Sequence, residues 1–248
     1  MLSENKEIRA CYAKNDRPLL ETPVGIRVRF RKVGDLQYIS HLDLQRTMHR
    51  ILSRAGIPVW YTKGFNPHIK LVFSVPLSIG MQSECEMFDI RIEREISCEE
   101  IKYLLNKEVT DEMRILEVYI PETKFSEYVW SSYEMEIGSK GLSVEVADKM
   151  NALTSQSTWT AIKTTKTGEK EFDMIPQIRT FKALYCKESD SVKISAVLNV
   201  SNDNYLNPSL LLDEICRACE IDQNNEEDFW VTITRVGAFC EDGTTPFR

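Results

Sequence analysis

At 248 residues, with 42% hydrophobic and 28% charged side chains and only 10 Gly and 9 Pro, the chain falls outside the fibrous, low-complexity and largely disordered classes. Its length suits two compact domains of roughly 110 to 130 residues. No apolar run approaches the roughly 18 to 20 residues that cross a bilayer and the N-terminus has no apolar centre, so a cytosolic protein with no membrane partner is expected. The net charge of −7 argues, taken as an average, against a polyanion partner.

Residues 1–23 are polar and carry Pro18 and Pro23, and they read as an N-terminal tail. The run IRVRFR then alternates Ile26, Val28 and Phe30 with Arg27, Arg29 and Arg31, the period of a half-buried strand. Ser40-His41-Leu42-Asp43 has the form of a capping box opening a helix that should run to about Ala55 and stop at Gly56, with Pro58 beyond. On that helix Leu44, Met48, Ile51, Leu52 and Ala55 share one face, while Arg46, Arg50 and Arg54 fall within about 80° of each other opposite.

A turn-rich loop, WYTKGFNPH, follows, then apolar alternation through Ile69, Leu71, Phe73 and Val75 and a further strand-like run with Phe88, Ile90 and Ile92. Residues 97–108 open on a Ser cap and read as a helix, and 113–120 as a closing strand. That order is β-α-β-β-α-β, the ferredoxin-like pattern. The second half repeats it less cleanly: a strand at 131–137, a helix at 142–153, a strand at 158–164 before a Thr167-Gly168 turn, strands near 179–186 and 192–199, a helix opened by Asn207-Pro208, and a strand at 229–236. The expected fold is α+β, two ferredoxin-like units in tandem with antiparallel sheets and helices on one face. The divisions are a tail to residue 23, a basic domain at 24–122, an acidic domain at 130–240 and a C-terminal tail at 241–248. The stretch at 165–178 fits this scheme least well.

Charge is segregated. Residues 24–72 hold nine Lys/Arg against two acids, a net +7 that leaves the remainder at −14, and all three histidines lie in the same window. With helices on one face of a ferredoxin-like sheet, Arg27, Arg29 and Arg31 would project from the other, a face that single-strand RNA binders use as a platform. Arg46, Arg50 and Arg54 align like charges along a helix, a small cost that a polyanion would offset. Trp60, Tyr61 and Phe65 interleave with Lys63, Gly64, His68 and Lys70, the mixture of stacking surfaces and cations that holds unpaired bases. Each feature also has a structural reading: arginines paired with the acid-rich half, a solvated helix face, and aromatics pinning a loop to a core.

His41, at the first position of a helix, should favour its neutral form, and with Asp43 and His68 it is a candidate acid–base site. Packing at a helix start is the competing role. No metal-ligand spacing links the histidines, and Cys216-x-x-Cys219 is a single pair with Leu at position 212 where a cluster-binding triplet needs Cys. Seven scattered cysteines suit reduced thiols. No phosphate-binding glycine motif occurs, so no cofactor is expected on this chain and no metal.

VRFRKVGDLQYISHLDLQRTMHRILSRAGIPVWYTKGFNPH followed by LVFSVPLSIGMQSECEMFDI resembles the signature of the radical-SAM-associated family, a bacterial domain of unknown function. The likeness is specific over residues 26–92; beyond them it extends only to layout and the LNP before the last helix, and it departs at Ile69, where a second proline would follow His68. In that family the domain stands alone or is fused behind radical SAM and cobalamin-binding modules. The resemblance implies an accessory to a separate radical SAM enzyme rather than a catalyst, with Ser40, His41, Asp43, Gly64, Phe65, Asn66, Pro67 and His68 as members of the family pattern. Its members' frequent proximity to ribosomal-protein and RNA-processing genes adds RNA as a substrate class. The expected function is therefore an RNA-binding accessory subunit that presents transfer or ribosomal RNA to that enzyme. The alternatives are a metal-independent ribonuclease using His41 and His68, and a protein-interaction module.

Overall fold

A computed structural model describes residues 17–165, 168–202, 204–225 and 228–248. Among these residues the fold is α+β, with ten strands, four α-helices and short 3-10 turns. The chain divides into two compact units, one running to Phe125 and taking in Arg248, the other Ser126–Phe247.

The first unit contains β1 (Leu19–Lys32), α1 (His41–Arg54), β2 (Val72–Phe73), β3 (Gln82–Arg94), α2 (Cys98–Asn106) and β4 (Ile115–Tyr119). Its strands lie in the order β4-β1-β3-β2, every neighbour antiparallel. The alternation of β1 fixes the register: Ile26 faces Ile90 and Val28 faces Phe88 on one side, and Val28 faces Val118 on the other. Ile26, Val28 and Phe30 join Leu44, Met48, Ile51 and Leu52 of α1 and Ile101 and Leu105 of α2 in one buried cluster, so both helices cover the same face of the sheet. Each large side chain fully buried there, Val28, Phe30, Met48 and Leu52 among them, contributes about 1.5 to 3 kcal/mol relative to exposure. Truncating Leu52 to Ala would remove that and leave a cavity, about 2 to 5 kcal/mol together.

Both ends of α1 follow from local chemistry. The Ser40 hydroxyl accepts from the Asp43 backbone N–H at 3.1 Å and donates to the Asp43 carboxylate at 2.8 Å. Asp43 is too short to return the bond to the cap backbone as a Glu would, and takes the hydroxyl proton instead. At the other end Ala55 caps the helix and Gly56, at φ +67°, adopts the left-handed turn that glycine accepts without strain.

The second unit contains β5 (Trp130–Gly138), α3 (Val144–Leu153), β6 (Thr160–Thr165), β7 (Gly168–Asp173), β8 (Ile178–Cys186), β9 (Ser191–Asn199), α4 (Pro208–Cys219) and β10 (Trp230–Phe239). Its strand order, β10-β5-β9-β8, matches that of the first unit once β6 and β7 are set aside as a separate two-stranded hairpin. That hairpin accounts for the stretch near 165–178 that fitted poorly; Thr167 of the expected turn lies outside the described residues.

Three expectations are corrected. The tail reading of 1–23 ends early, because β1 begins at Leu19; Pro23, which has no N–H to donate, sits where the pairing with β3 is interrupted between Leu19 and Val24, while residues 1–16 lie outside the described residues. The alternation after Ile69 yields only the two-residue β2, because the chain first closes the 60–70 loop through a Tyr61–Ile69 bridge. The stretch 241–248 is no loose tail: Phe247 is buried, stacks on Tyr128 at 5.3 Å and donates its N–H to the Ala238 carbonyl at 2.9 Å.

Candidate nucleic-acid interface

Because β1 alternates, its arginines lie on the sheet face opposite both helices, and the two basic features read from the sequence are separated by the sheet rather than combined. The strand arginines are also engaged. Arg27 is 0% exposed: its guanidinium grips both oxygens of Asp89 at 2.8 Å, donates to the Thr123 carbonyl at 3.0 Å, and lies 4.2 Å from the Phe125 ring centre. Arg29 pairs with Glu117 at 3.3 Å and Arg31 donates to the Asp111 carbonyl at 2.5 Å. Segment 120–125 thus covers the expected platform over Arg27. Lys32, also counted in the basic window, is buried with its ammonium 3.5 Å from the Leu36 and Gln37 carbonyls.

The arginines of α1 differ in accessibility. Arg46 and Arg54 are 63% and 64% exposed, each with one carboxylate, Asp43 at 3.2 Å and Glu108 at 2.7 Å. Arg50, between them, is exposed and has no hydrogen-bond or ion-pair partner among the described residues. Such exposed pairs are worth little in water and can be exchanged for a phosphate. The Asp43 carboxyl is held below the ordinary carboxylate range, first by the Ser40 hydroxyl and then by Arg46.

Segment 57–73 runs back along α1. Ile57 donates its N–H to the Leu52 carbonyl near the end of the helix, His68 is near enough to His49 for its charge to oppose protonation there, and Phe73 meets His41 edge-on at 5.3 Å near the start. The loop within this segment is closed by a clasp: Thr62 N–H to the His68 carbonyl at 2.9 Å, His68 N–H to the Thr62 hydroxyl at 3.1 Å, and His68 Nδ1 at 3.1 Å from the Asn66 carbonyl. The same Nδ1 lies 3.1 Å from the Thr62 hydroxyl, so the ring is held from both arms of the loop. Outside the clasp Phe65 is fully exposed, with Lys63, Gly64, Asn66, Pro67 and Lys70 exposed around it. Lys63 and Lys70 have no ion-pair partner among the described residues. Tyr61 is partly exposed, whereas Trp60 is half-buried with Arg91 5.8 Å from its ring.

The candidate acid–base set does not assemble. His41 bonds to Gln45 at 3.0 Å, Asp43 to Ser40 and Arg46, and His68 within its own loop; no hydrogen bond joins His41 to His68. Two contributors escaped the sequence reading. His49 is on the loop-facing side of α1, where the helical spacing 41, 45, 49 could have put it beside His41 and Gln45. Arg91 lies outside the basic window, and no local pattern ties it to Trp60. Among the described residues no group of three His, Cys, Asp or Glu is placed to hold a metal ion. Cys216 is buried and Cys219 partly so, and burial raises both thiols, as suits packing on α4. No described helix is long and apolar enough to cross a membrane.

No curated protein matches the chain. A crystal structure of a putative glycine cleavage system transcriptional repressor aligns over 87% of this chain and 99% of its own, at 10% identity and a TM-score of 0.22, a level of similarity that carries no argument. Residues 25–208, a span that holds the C-terminal part of β1, α1 and the 60–70 loop, match the model of a family described as an uncharacterized protein conserved in bacteria (DUF2344), and with most of its length matched the chain belongs to that family.

Proposed function

We propose that this protein is an RNA-binding accessory subunit whose recognition surface is the outer face of α1 with the adjoining 60–70 loop, and not the sheet face. One observation carries the reading: in a chain with net charge −7, Arg50, Lys63 and Lys70 have no acid partner among the described residues, and all three lie on these two neighbouring elements. Arg46 and Arg54 add cations whose exposed pairs exchange readily. Each phosphate neutralised releases a condensed counterion, which rewards a cluster of exposed cations over a single one.

The β-α-β-β-α-β order of the first unit, its β4-β1-β3-β2 arrangement and the corresponding β10-β5-β9-β8 arrangement in the second support reading both as ferredoxin-like. The resemblance to the radical-SAM-associated family supports a separate radical SAM enzyme as the client to which transfer or ribosomal RNA is presented. The ribonuclease alternative has less support, since His41 and His68 are each engaged elsewhere.

The test is fluorescence anisotropy of a labelled transfer-RNA fraction at about 50 and 200 mM salt. Four phosphate contacts correspond to a slope of log K on log salt of about −3.6, or roughly a 100-fold loss of affinity across that range. A combined Arg46, Arg50, Lys63 and Lys70 to Ala variant should bind weakly, with no more than the shallow salt dependence, a slope of about −0.9, that Arg54 alone supplies. Absence of wild-type binding at the lower salt would end the proposal.

A further inference from the structure

We infer that the 60–70 loop receives one unpaired base, stacked on Phe65 with the adjoining phosphates on Lys63 and Lys70, so that the RNA bound is single-stranded at that point. This rests on the RNA-binding reading above and narrows its substrate class.

Three observations converge on it. Phe65 is fully exposed, and a ring left wholly in water at a loop tip contributes nothing to the core, so its apolar surface gains only when a ligand covers it. The loop is also organised in advance: the Thr62–His68 clasp holds its ends and Pro67 fixes its own backbone, so little ordering entropy remains to be lost when a ligand arrives. Finally, the neighbouring aromatics offer less open ring, Trp60 half-buried beside Arg91 and Tyr61 38% exposed on a backbone bridged to Ile69, so Phe65 presents the fullest stacking surface of the three.

The chemistry of the occupant follows from what surrounds the ring. An apolar protein pocket closing over Phe65 would desolvate Lys63 and Lys70 without partners, an unfavourable outcome. A ligand that presents an aromatic face and negative charges together, at nucleotide spacing, satisfies both. In an A-form duplex the bases are stacked inside and offer no free face, so duplex RNA would meet the cations but not the ring.

The experiment compares wild type with Phe65→Leu and Phe65→Trp, using a single-stranded oligouridylate of about 12 nucleotides carrying one central 2-aminopurine, and an RNA duplex of equal length. The proposal expects tighter wild-type binding to the single strand, with 2-aminopurine fluorescence quenched on binding. Phe65→Leu should lose about 10-fold or more in single-strand affinity and the quenching, while Phe65→Trp keeps both. Duplex affinity and its salt slope should be the same in all three proteins. If the single strand and duplex bind equally and Phe65→Leu changes neither, the RNA reading stands and the base contact is refuted. A Phe65→Leu loss that is equal for both RNAs also refutes it. Failure of wild type to bind either RNA removes the RNA reading itself, and this inference with it.

Discussion

Two sets of three arginines, 27, 29 and 31 on β1 and 46, 50 and 54 on α1, sit on opposite faces of one sheet and have opposite fates. Those on the strand meet cross-strand acids and covering chain: Asp89 across β3, Glu117 across β4, and the Asp111 and Thr123 carbonyls. Those on the helix have each other at i±4, with single carboxylates at the two ends. A strand residue is surrounded by whatever the register brings beside it, while a helix residue is surrounded mainly by its own near neighbours. The availability of an arginine for a ligand is therefore decided by long-range pairing on the strand and, for Arg46 and Arg50, by local spacing on the helix, whereas Arg54 at its end meets Glu108, 54 positions away.

The largest expected effect breaks this contrast at Arg27. Replacing it with Met removes the bidentate partner of Asp89 and the donor to the Thr123 carbonyl. Breaking a buried pair from one side costs about 3 kcal/mol or more, which a urea melt would read as a lower midpoint at unchanged m. RNA affinity of the folded variant should stay within about twofold, because the helix face lies across the sheet. A fall in RNA affinity as large as that of the α1 and loop variants, with stability intact, would return the recognition surface to the strand.

The same distinction sets how much could be read without the structure. The extent of α1, its apolar face and its caps at Ser40 and Gly56 are properties of fourteen contiguous residues and their flanks, and they stand in the sequence. The Arg27–Asp89 pair joins positions 62 apart, and no local pattern announces it; alternation told which side Arg27 would take but not that segment 120–125 would cover it. Of the β6–β7 hairpin, the strand at 158–164 stands in the sequence, whereas its partner Gly168–Asp173 was obscured because the pair lies between elements of the repeated pattern. In the loop, composition located the aromatics and cations, whereas only the clasp and the packing separate exposed Phe65 from half-buried Trp60.

A smaller effect tests whether the helix face stands independently of the sheet face. Ser40→Ala removes the acceptor for the Asp43 N–H, a loss of about 1 kcal/mol typical of an N-cap, visible as a lower melting temperature. It also removes the main cause of the lowered Asp43 pKa, so an NMR titration should find that carboxyl moved up towards the ordinary range. The sign of the linkage follows. A carboxyl depressed in the fold adds stability above its unfolded pKa and loses it as pH falls through the folded value, so the variant should show a shallower acid limb than wild type. RNA affinity at neutral pH should fall little, since the cap contributes no cation.

The smallest expected effect is a pH dependence confined to the helix face. His49 titrates below the ordinary histidine range, first because it is partly buried and then because of the charge on His68. A base whose pKa is lowered in the fold stabilises the fold above its unfolded value and loses that contribution as pH falls through the folded value. Acidification below the usual histidine range should therefore lower stability slightly. A phosphate docked between α1 and the loop would offset the repulsion from His68 and favour protonated His49, so RNA affinity should rise over the same interval, by about two- to fivefold, the size of one exposed charge interaction. His49→Gln should flatten both trends, and Arg27→Met should flatten neither. If affinity instead falls on acidification while His49→Gln behaves as wild type, the phosphate path does not pass between α1 and the 60–70 loop, and the cations on the two elements serve separate contacts.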